Sequence, residues 1–344
     1  MINASQSRIN QASVHIVGNK SKEEALELSE EPLALDDEKV NELLLTYFLS
    51  NFKSPAFHSF TFSNEDFALN PIYQFASEIF SDHETLHVHS VNMAKHLFEA
   101  SQHPNIKAGD FYVAHIEGVA IENTVVDAIG IFKSENKDTY LKLKAAKGNF
   151  KLNADEGTNI KKLDKGCLIL NLESEAGYKI LLVDNANSGD AQFWRQDFLN
   201  VKPWSDAFHH THNFMNLTKQ YVADQLDEEF SVSKADQIDL LNRSVNFFKS
   251  REQFDQREFE NEVLADPDVI QSFRKFEKNF GEEIVDSFEI SVHAVKRQAR
   301  IFKSVLKLDK NFHIYIHGNR ELIEKGYDEA RGEHFYKIYF KEES

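Results

Sequence analysis

Residues 167–184 read CLILNLESEAGYKILLVD, and this stretch decides the fold class. Two apolar runs of matching length, 167–172 and 178–183, flank Ser174, Glu175, Ala176 and Gly177, whose glycine can take the positive φ of a tight turn. The pattern predicts an antiparallel hairpin. Similar β-branched and aromatic runs, separated by turn residues, recur at 111–116, 125–132 and 140–144, so residues 109–184 are expected to form an antiparallel meander.

On the N-terminal side a short strand is expected over 12–17. An acidic stretch follows in which Glu23, Glu24, Glu27, Glu30, Glu31, Asp36, Asp37, Glu38 and Glu42 face only Lys20, Lys22 and Lys39, the pattern of a solvated surface. Leu43, Leu44, Tyr47 and Phe48 then recur at helical spacing. After a strand-like FHSFTF (57–62), Asn70 followed by Pro71 predicts a capped helix start, and a second helix is expected over 86–100.

On the C-terminal side, beyond Trp204, the period becomes helical. Phe214, Leu217 and Tyr221 share one face, then Ile238, Leu241, Val245 and Phe248, then Ile270, Phe273, Phe276 and Phe280. Ser233 with Asp236, Asp255 with Glu258, and Asp266 before Pro267 supply the starts. Strand-like runs close the chain at 305–308, 312–316 and 335–340, the first two joined through Asp309, Lys310 and Asn311. The expected fold class is therefore α+β: an N-terminal mixed domain with an antiparallel sheet meander over 1–204, followed by a helical region closing in a small antiparallel sheet over 205–344. Trp194 and Trp204 are expected to anchor the junction. The faces carrying Phe273, Phe276 and Phe280 suit a homodimer contact as well as a core.

Length and composition agree with two domains: 344 residues, 41% hydrophobic and 28% charged. One cysteine, Cys167, excludes an intrachain disulfide and a cysteine-based zinc site, and fits a reducing cytoplasm. The start MINASQSRINQASV carries neither the charged nor the apolar segment of a secretory signal, and the longest nearly apolar run, 43–49, is too short to span a bilayer, so a soluble cytoplasmic protein with no membrane contact is expected.

Several chemistries lack their residues. Neither GxxxxGK[ST] nor GxGxxG occurs, nor does GxSxG, HExxH or a calcium loop, so P-loop nucleotide hydrolysis and the common hydrolase, zincin and calcium templates are not expected. His87, His89 and His96 share a helix, but His87 stands about 160° from His89 around its axis, so a shared metal is disfavoured. His209, His210 and His212 read as a helix start packed by Phe208 and Phe214, and Cys167 as a buried, inert thiol. Asp127 with Glu135 and Lys137 loosely matches a metal-dependent nuclease set, yet Glu135 to Lys137 falls where a turn is expected. A solvated hairpin tip is the stronger reading there.

Charge gives the positive signal. With 39 Lys and Arg against 56 Asp and Glu, the formal net charge is −17, and residues 222–289 alone carry 18 acidic against 8 basic side chains. Within 293–310 the sign reverses: Lys296, Arg297, Arg300, Lys303, Lys307 and Lys310 face Asp309 alone. A helix over 292–302 would place Val292, Val295, Ala299 and Phe302 on one face and the cations on the remainder. A second basic zone, 133–165, centres on Lys142, Lys144, Lys147 and Lys151. Such fields attract a phosphate backbone or an acidic surface, but no base-reading motif accompanies them.

Five segments together resemble the bacterial nucleoid-associated protein family often called NdpA: INQASVHIVGN (9–19), GDFYVAHI with AIGIFKSE (109–116 and 128–135), the hairpin at 167–184, AQFWRQDFLNVKP (191–203) and VKRQARIFKSVLKLDKNFHIYIHG (295–318). The resemblance implies a cytoplasmic protein on the bacterial nucleoid that binds DNA directly or through other nucleoid proteins, without enzyme activity or cofactor. The charge pattern nominates Lys296, Arg297, Arg300, Lys303, Lys307, Lys142, Lys144, Lys147 and Lys151 for backbone-directed DNA contact. Two alternatives stand beside it. In one, Glu258, Glu260, Glu262, Asp266 and Asp268 form an acidic adaptor surface for basic DNA-handling proteins; in the other, a cryptic nuclease site uses Asp127 and Glu135.

Overall fold

The computed structural model describes residues 2–121, 124–146, 148–185, 193–282, 284–300, 302, 305–316 and 322–342. The chain divides into two compact units, Met1–Trp204 and Ser205–Ser344.

The first unit contains strands β1 (Ile2–Asn3), β2 (Arg8–Val17), β3 (Leu26–Glu27), β4 (Phe57–Phe60), β5 (Gly109–Ile121), β6 (Thr124–Ser134), β7 (Asp138–Ala146), β8 (Asn149–Gly157), β9 (Lys165–Leu170), β10 (Lys179–Asp184) and β11 (Val201–Pro203). Its helices are α1 (Glu38–Leu49), α2 (Pro71–Ser81) and α3 (Leu86–Ala100). Every strand pairing is antiparallel, and the large sheet runs β11-β4-β10-β9-β6-β5-β2-β3 with β1 alongside β5. The meander forms the centre of this sheet. Gly177, at φ 89°, turns the chain from β9 into β10.

Helices cover both faces of the sheet, which is why its central strands read as unbroken apolar runs. Phe111, Val113, Ile129, Ile131, Cys167, Ile169 and Ile180 enter the core shared with α2 and α3. Their alternates Ala114, Ile116, Ala128, Phe132, Leu168, Leu170 and Leu181 pack with Tyr47 and Phe48 of α1. The capped start at Asn70 is present: its buried Oδ1 accepts from the backbone of Ile72 (2.8 Å) and Tyr73 (3.2 Å), while its Nδ2 donates to the carbonyls of Thr61 and Leu199. Trp194 lies wholly inside this unit's core, and Lys179 Nζ stands 5.7 Å from the Trp204 ring. Both are thus packed within the first unit.

β7 and β8 leave the sheet as a separate two-stranded ribbon. The sequence predicts a strand over 140–144 but gives its partner no element, because Asn149–Gly157 mixes polar and apolar residues and carries Asp155 and Glu156 just before its closing glycine.

The second unit contains α4 (Ala207–Gln220), α5 (Leu226–Glu229), α6 (Lys234–Lys249), α7 (Gln256–Phe259), α8 (Pro267–Glu277) and α9 (Val292–Ala299). Its strands are β12 (Gln253–Asp255), β13 (Ser287–Glu289), β14 (Val305–Leu308), β15 (Phe312–Tyr315), β16 (Ile323–Asp328) and β17 (Glu333–Ile338); β14–β15 and β16–β17 are antiparallel hairpins, while β12 and β13 pair antiparallel across the intervening helices. The Ser233–Asp236 capping box opens α6, and Asp255 and Asp266 cap α7 and α8. Phenylalanines fill the core: Phe248 stacks on Phe254 at 5.3 Å, Phe214 meets Phe259 at 5.0 Å, and Phe273 meets Tyr221 edge-on at 5.2 Å. Phe273 is fully buried, with Phe276 and Phe280 packed against the same cluster, so these rings serve this unit's own core. Leu306, Ile316 and Ile323 join the terminal strands to Ala235 and Ile238 of α6.

Candidate nucleic-acid interface

α9 begins where Ser291 caps it, accepting from the Ala294 amide. Ala294, Val295 and Gln298 are buried, and Gln298 Nε2 lies 2.7 Å from His212 Nδ1, fastening α9 to α4. At 100° per residue, Lys296, Arg297 and Arg300 fall on the opposite arc, and all three are exposed. The apolar face differs from the expected one in a single respect. Val292 is 61% exposed, and the helix buries Ala294 and Gln298 in its place.

β14 continues from this helix and carries Lys307 outward. Two open cavities, of about 590 and about 420 Å³, lie beside it and share Phe302, Val305 and Lys307 in their walls. The first adds Lys249; the second adds Lys219 and Lys234. Among the described residues, no carboxylate lines either one. Lys234 is bound to Asp227 at 3.2 Å, but Lys219, Lys249, Lys296, Arg300 and Lys307 make no ion pair among the described residues. The positive field reaches inward: burial first, then the Arg297 guanidinium and His209, hold His212 below the usual histidine range. Lys303 lies outside the described residues.

Lys219, Lys234 and Lys249 belong to stretches whose sequence is acidic or neutral overall, so linear charge counting misses them. Their spacing holds a faint signal. Lys234 and Lys249 open and close α6, and folding brings them beside the terminal strands.

The second basic zone separates into two kinds of lysine. Lys133 and Lys165 are paired across β6 and β9 and are buried, the first bound to Glu135 (2.9 Å) and the second to Asp184 (3.2 Å). Burial lowers the Lys133 pKa, with Glu135 opposing the shift. Lys137 is held by Asp110 and Lys162 by Asp138. Lys142, Lys144 and Lys151 remain exposed on the β7–β8 ribbon, without an ion pair among the described residues; Lys147 lies outside them.

The nuclease set does not converge. Asp127 and Glu135 are separated by eight residues along and just beyond β6, roughly 26 Å at strand rise. Glu135 is tied to Lys133, and the neighbouring Asp164 accepts from the amides of Glu135 (2.7 Å) and Asn136 (3.0 Å). The histidines also have separate partners: His87 with Ser13, His89 with Glu78, His96 with the Phe198 carbonyl. His209 lies against Asn213 and His210 against Ser205. Among the described residues no group of three or more His, Cys, Asp or Glu is placed to hold a metal ion. Cys167 is fully buried, and burial pushes its thiol far up.

Most of the acidic adaptor set has structural partners. Glu260 is 3% exposed and receives Arg274 Nε (2.8 Å) and Nη2 (2.6 Å). Glu262 takes Arg251 at 2.6 Å, Glu258 lies 3.8 Å from the same guanidinium, and Asp266 caps α8.

The fold and these surfaces define a two-unit α+β protein that presents cations from both units of a strongly acidic chain. No described helix is long and apolar enough to cross a membrane. The sequence matches the family described as Nucleoid-associated protein YejK over residues 13–332, and the chain belongs to that family. The resemblance carried by the strand, hairpin and basic-helix segments is thereby borne out. No curated protein matches the chain.

Proposed function

We propose that this protein is a non-enzymatic factor of the bacterial nucleoid, cytoplasmic and free of cofactors, that binds the DNA backbone without reading sequence. One observation carries the reading: Lys296 and Arg300 stand exposed on α9, and the exposed Lys307 lines two cavities whose described walls hold further lysines and no carboxylate. A phosphate chain is the partner such a surface suits, because its charges repeat at a spacing several lysines can follow. The overall −17 charge repels DNA elsewhere on the surface, which confines contact to the basic face. The exposed ribbon lysines Lys142, Lys144 and Lys151 provide a further contact in the first unit.

A salt titration on duplex and single-stranded DNA tests this, comparing the wild type with Lys296→Glu/Arg300→Glu/Lys307→Glu. With about five phosphate contacts, affinity for duplex should fall roughly 500-fold between about 50 and 200 mM salt. The triple variant should lose most of that dependence. A salt-independent affinity, or a triple variant that binds as the wild type does, defeats the reading. Inclusion of divalent metal and inspection of the DNA for cleavage test the non-enzymatic part.

A further inference from the structure

We propose that the apolar face of the β7–β8 ribbon docks against the same face of a second copy of this chain. Residues directly opposite each other across an antiparallel pair share a face. The pairs Leu141–Ala154, Leu143–Leu152 and Ala145–Phe150 therefore make a contiguous apolar patch of six side chains, with the Thr139–Glu156 pair beyond one end of the same face. Lys142, Lys144 and Lys151 lie on the other. The apolar face is open to solvent: Leu141, Leu143, Phe150 and Leu152 are 59–76% exposed.

A two-stranded ribbon is marginal in water unless one face is covered. Among the described residues, no strand of the large sheet pairs with β7 or β8. The surface that covers these six side chains must be apolar, because none of them offers a donor or acceptor to a polar partner.

The arrangement of sizes favours a second copy over an unrelated apolar partner. Large and small residues lie diagonally: Leu141 and Phe150 at opposite corners, Ala154 and Ala145 at the other two, and Leu143 with Leu152 between them. A two-fold axis lying in the face, across the strands, sets Leu141 against the partner copy's alanine at position 145 and Phe150 against its alanine at position 154. An axis along the strands also sets large against small. A two-fold interface has to be complementary to itself, and alternation of large and small residues is how facing layers interdigitate. The four large side chains expose on the order of 500 Å² per copy, so two copies together reach the roughly 1,000 Å² that a specific interface requires. None of the six side chains buried in this way is charged.

The proposal stands apart from DNA binding and is tested without DNA. Sedimentation of the full-length protein should show a dimer at about 10 µM. Leu143→Glu and Phe150→Glu should each weaken the dimer by more than about 30-fold, the scale of a central contact residue, with the thermal midpoint of the monomer fold unchanged. The uncharged Leu143→Ser/Leu152→Ser should move the equilibrium in the same direction. Lys144→Glu, on the opposite face, should leave the dimer intact. A wild type that stays monomeric at about 100 µM overturns the proposal. So does a dimer that survives both apolar-face variants, or one that Lys144→Glu dissociates.

Discussion

Lys144 stands directly opposite Lys151 across the β7–β8 ribbon. Like charges in that position destabilise a strand pair. The adjoining pair, Leu143 with Leu152, faces the other way, so the ribbon carries one charged surface and one apolar surface held in fixed register. A one-residue slip of either strand would turn its side chains over and mix the two.

Lys144→Glu replaces the repulsion with an attractive cross-strand pair. The ribbon should gain roughly 0.2–1 kcal/mol, read as slower amide exchange over 138–157. DNA affinity should fall in the same variant. Faster exchange together with unchanged DNA affinity would contradict the assignment of this face.

Lys219 and Lys249, in the cavity walls beside β14, are expected to act as independent phosphate contacts. Lys219→Glu or Lys249→Glu should each lower the slope of log affinity against log salt by about 1, with the fold intact. Equal slopes in wild type and variants would remove these residues from the interface.

Glu260 is nearly buried beneath the Arg274 guanidinium, with Gln256 Nε2 3.4 Å away. Glu260→Gln weakens the charge-assisted bonds from Arg274, whose side chain is itself 56% exposed, and should cost about 1–2 kcal/mol, seen as a lower urea midpoint. Glu262→Gln, at a half-exposed pair, should cost less than about 1 kcal/mol. Equal losses would show that burial at Glu260 does not set the cost.

His15 links stability to acid. Its Nδ1 accepts from the Ser29 amide (3.1 Å) and its Nε2 lies 2.9 Å from Ser90 Oγ, so a second ring proton would meet the Ser29 N–H. Burial first, and His87 second, lower its pKa from 6.5 to about 4. The unfolded chain therefore takes up this proton at a higher pH than the folded one. Stability from His15 is complete above pH 6.5 and is lost as pH falls towards 4, by roughly 1–2 kcal/mol after solvent screening. Thermal midpoints of His15→Gln should decline less between these pH values than those of the wild type; parallel curves would place the acid sensitivity elsewhere.

Much of this fold was legible in the chain because its signals are local. Asn70 before Pro71 and the Ser233–Asp236 box each satisfy backbone groups a few residues away, and the structure shows both caps. The four residues 180–183 alternate between two cores while all being apolar, which marks a strand covered on both sides. β8 was not legible, because its register comes from β7 and not from its own mixed composition.

The candidate site divides in the same way. Sequence alone determined the basic arc of α9, since helical geometry fixes where Lys296, Arg297 and Arg300 fall relative to Val295. Only the tertiary structure decided which other lysines join them. Lys133 and Lys165 count as positive in the sequence, yet the sheet buries them against Glu135 and Asp184. Lys219 and Lys249 lie far away in sequence, yet α4 and α6 deliver them beside Lys307. Secondary structure is set by neighbours along the chain, whereas a charge is exposed or neutralised by neighbours in space, and packing alone chooses those.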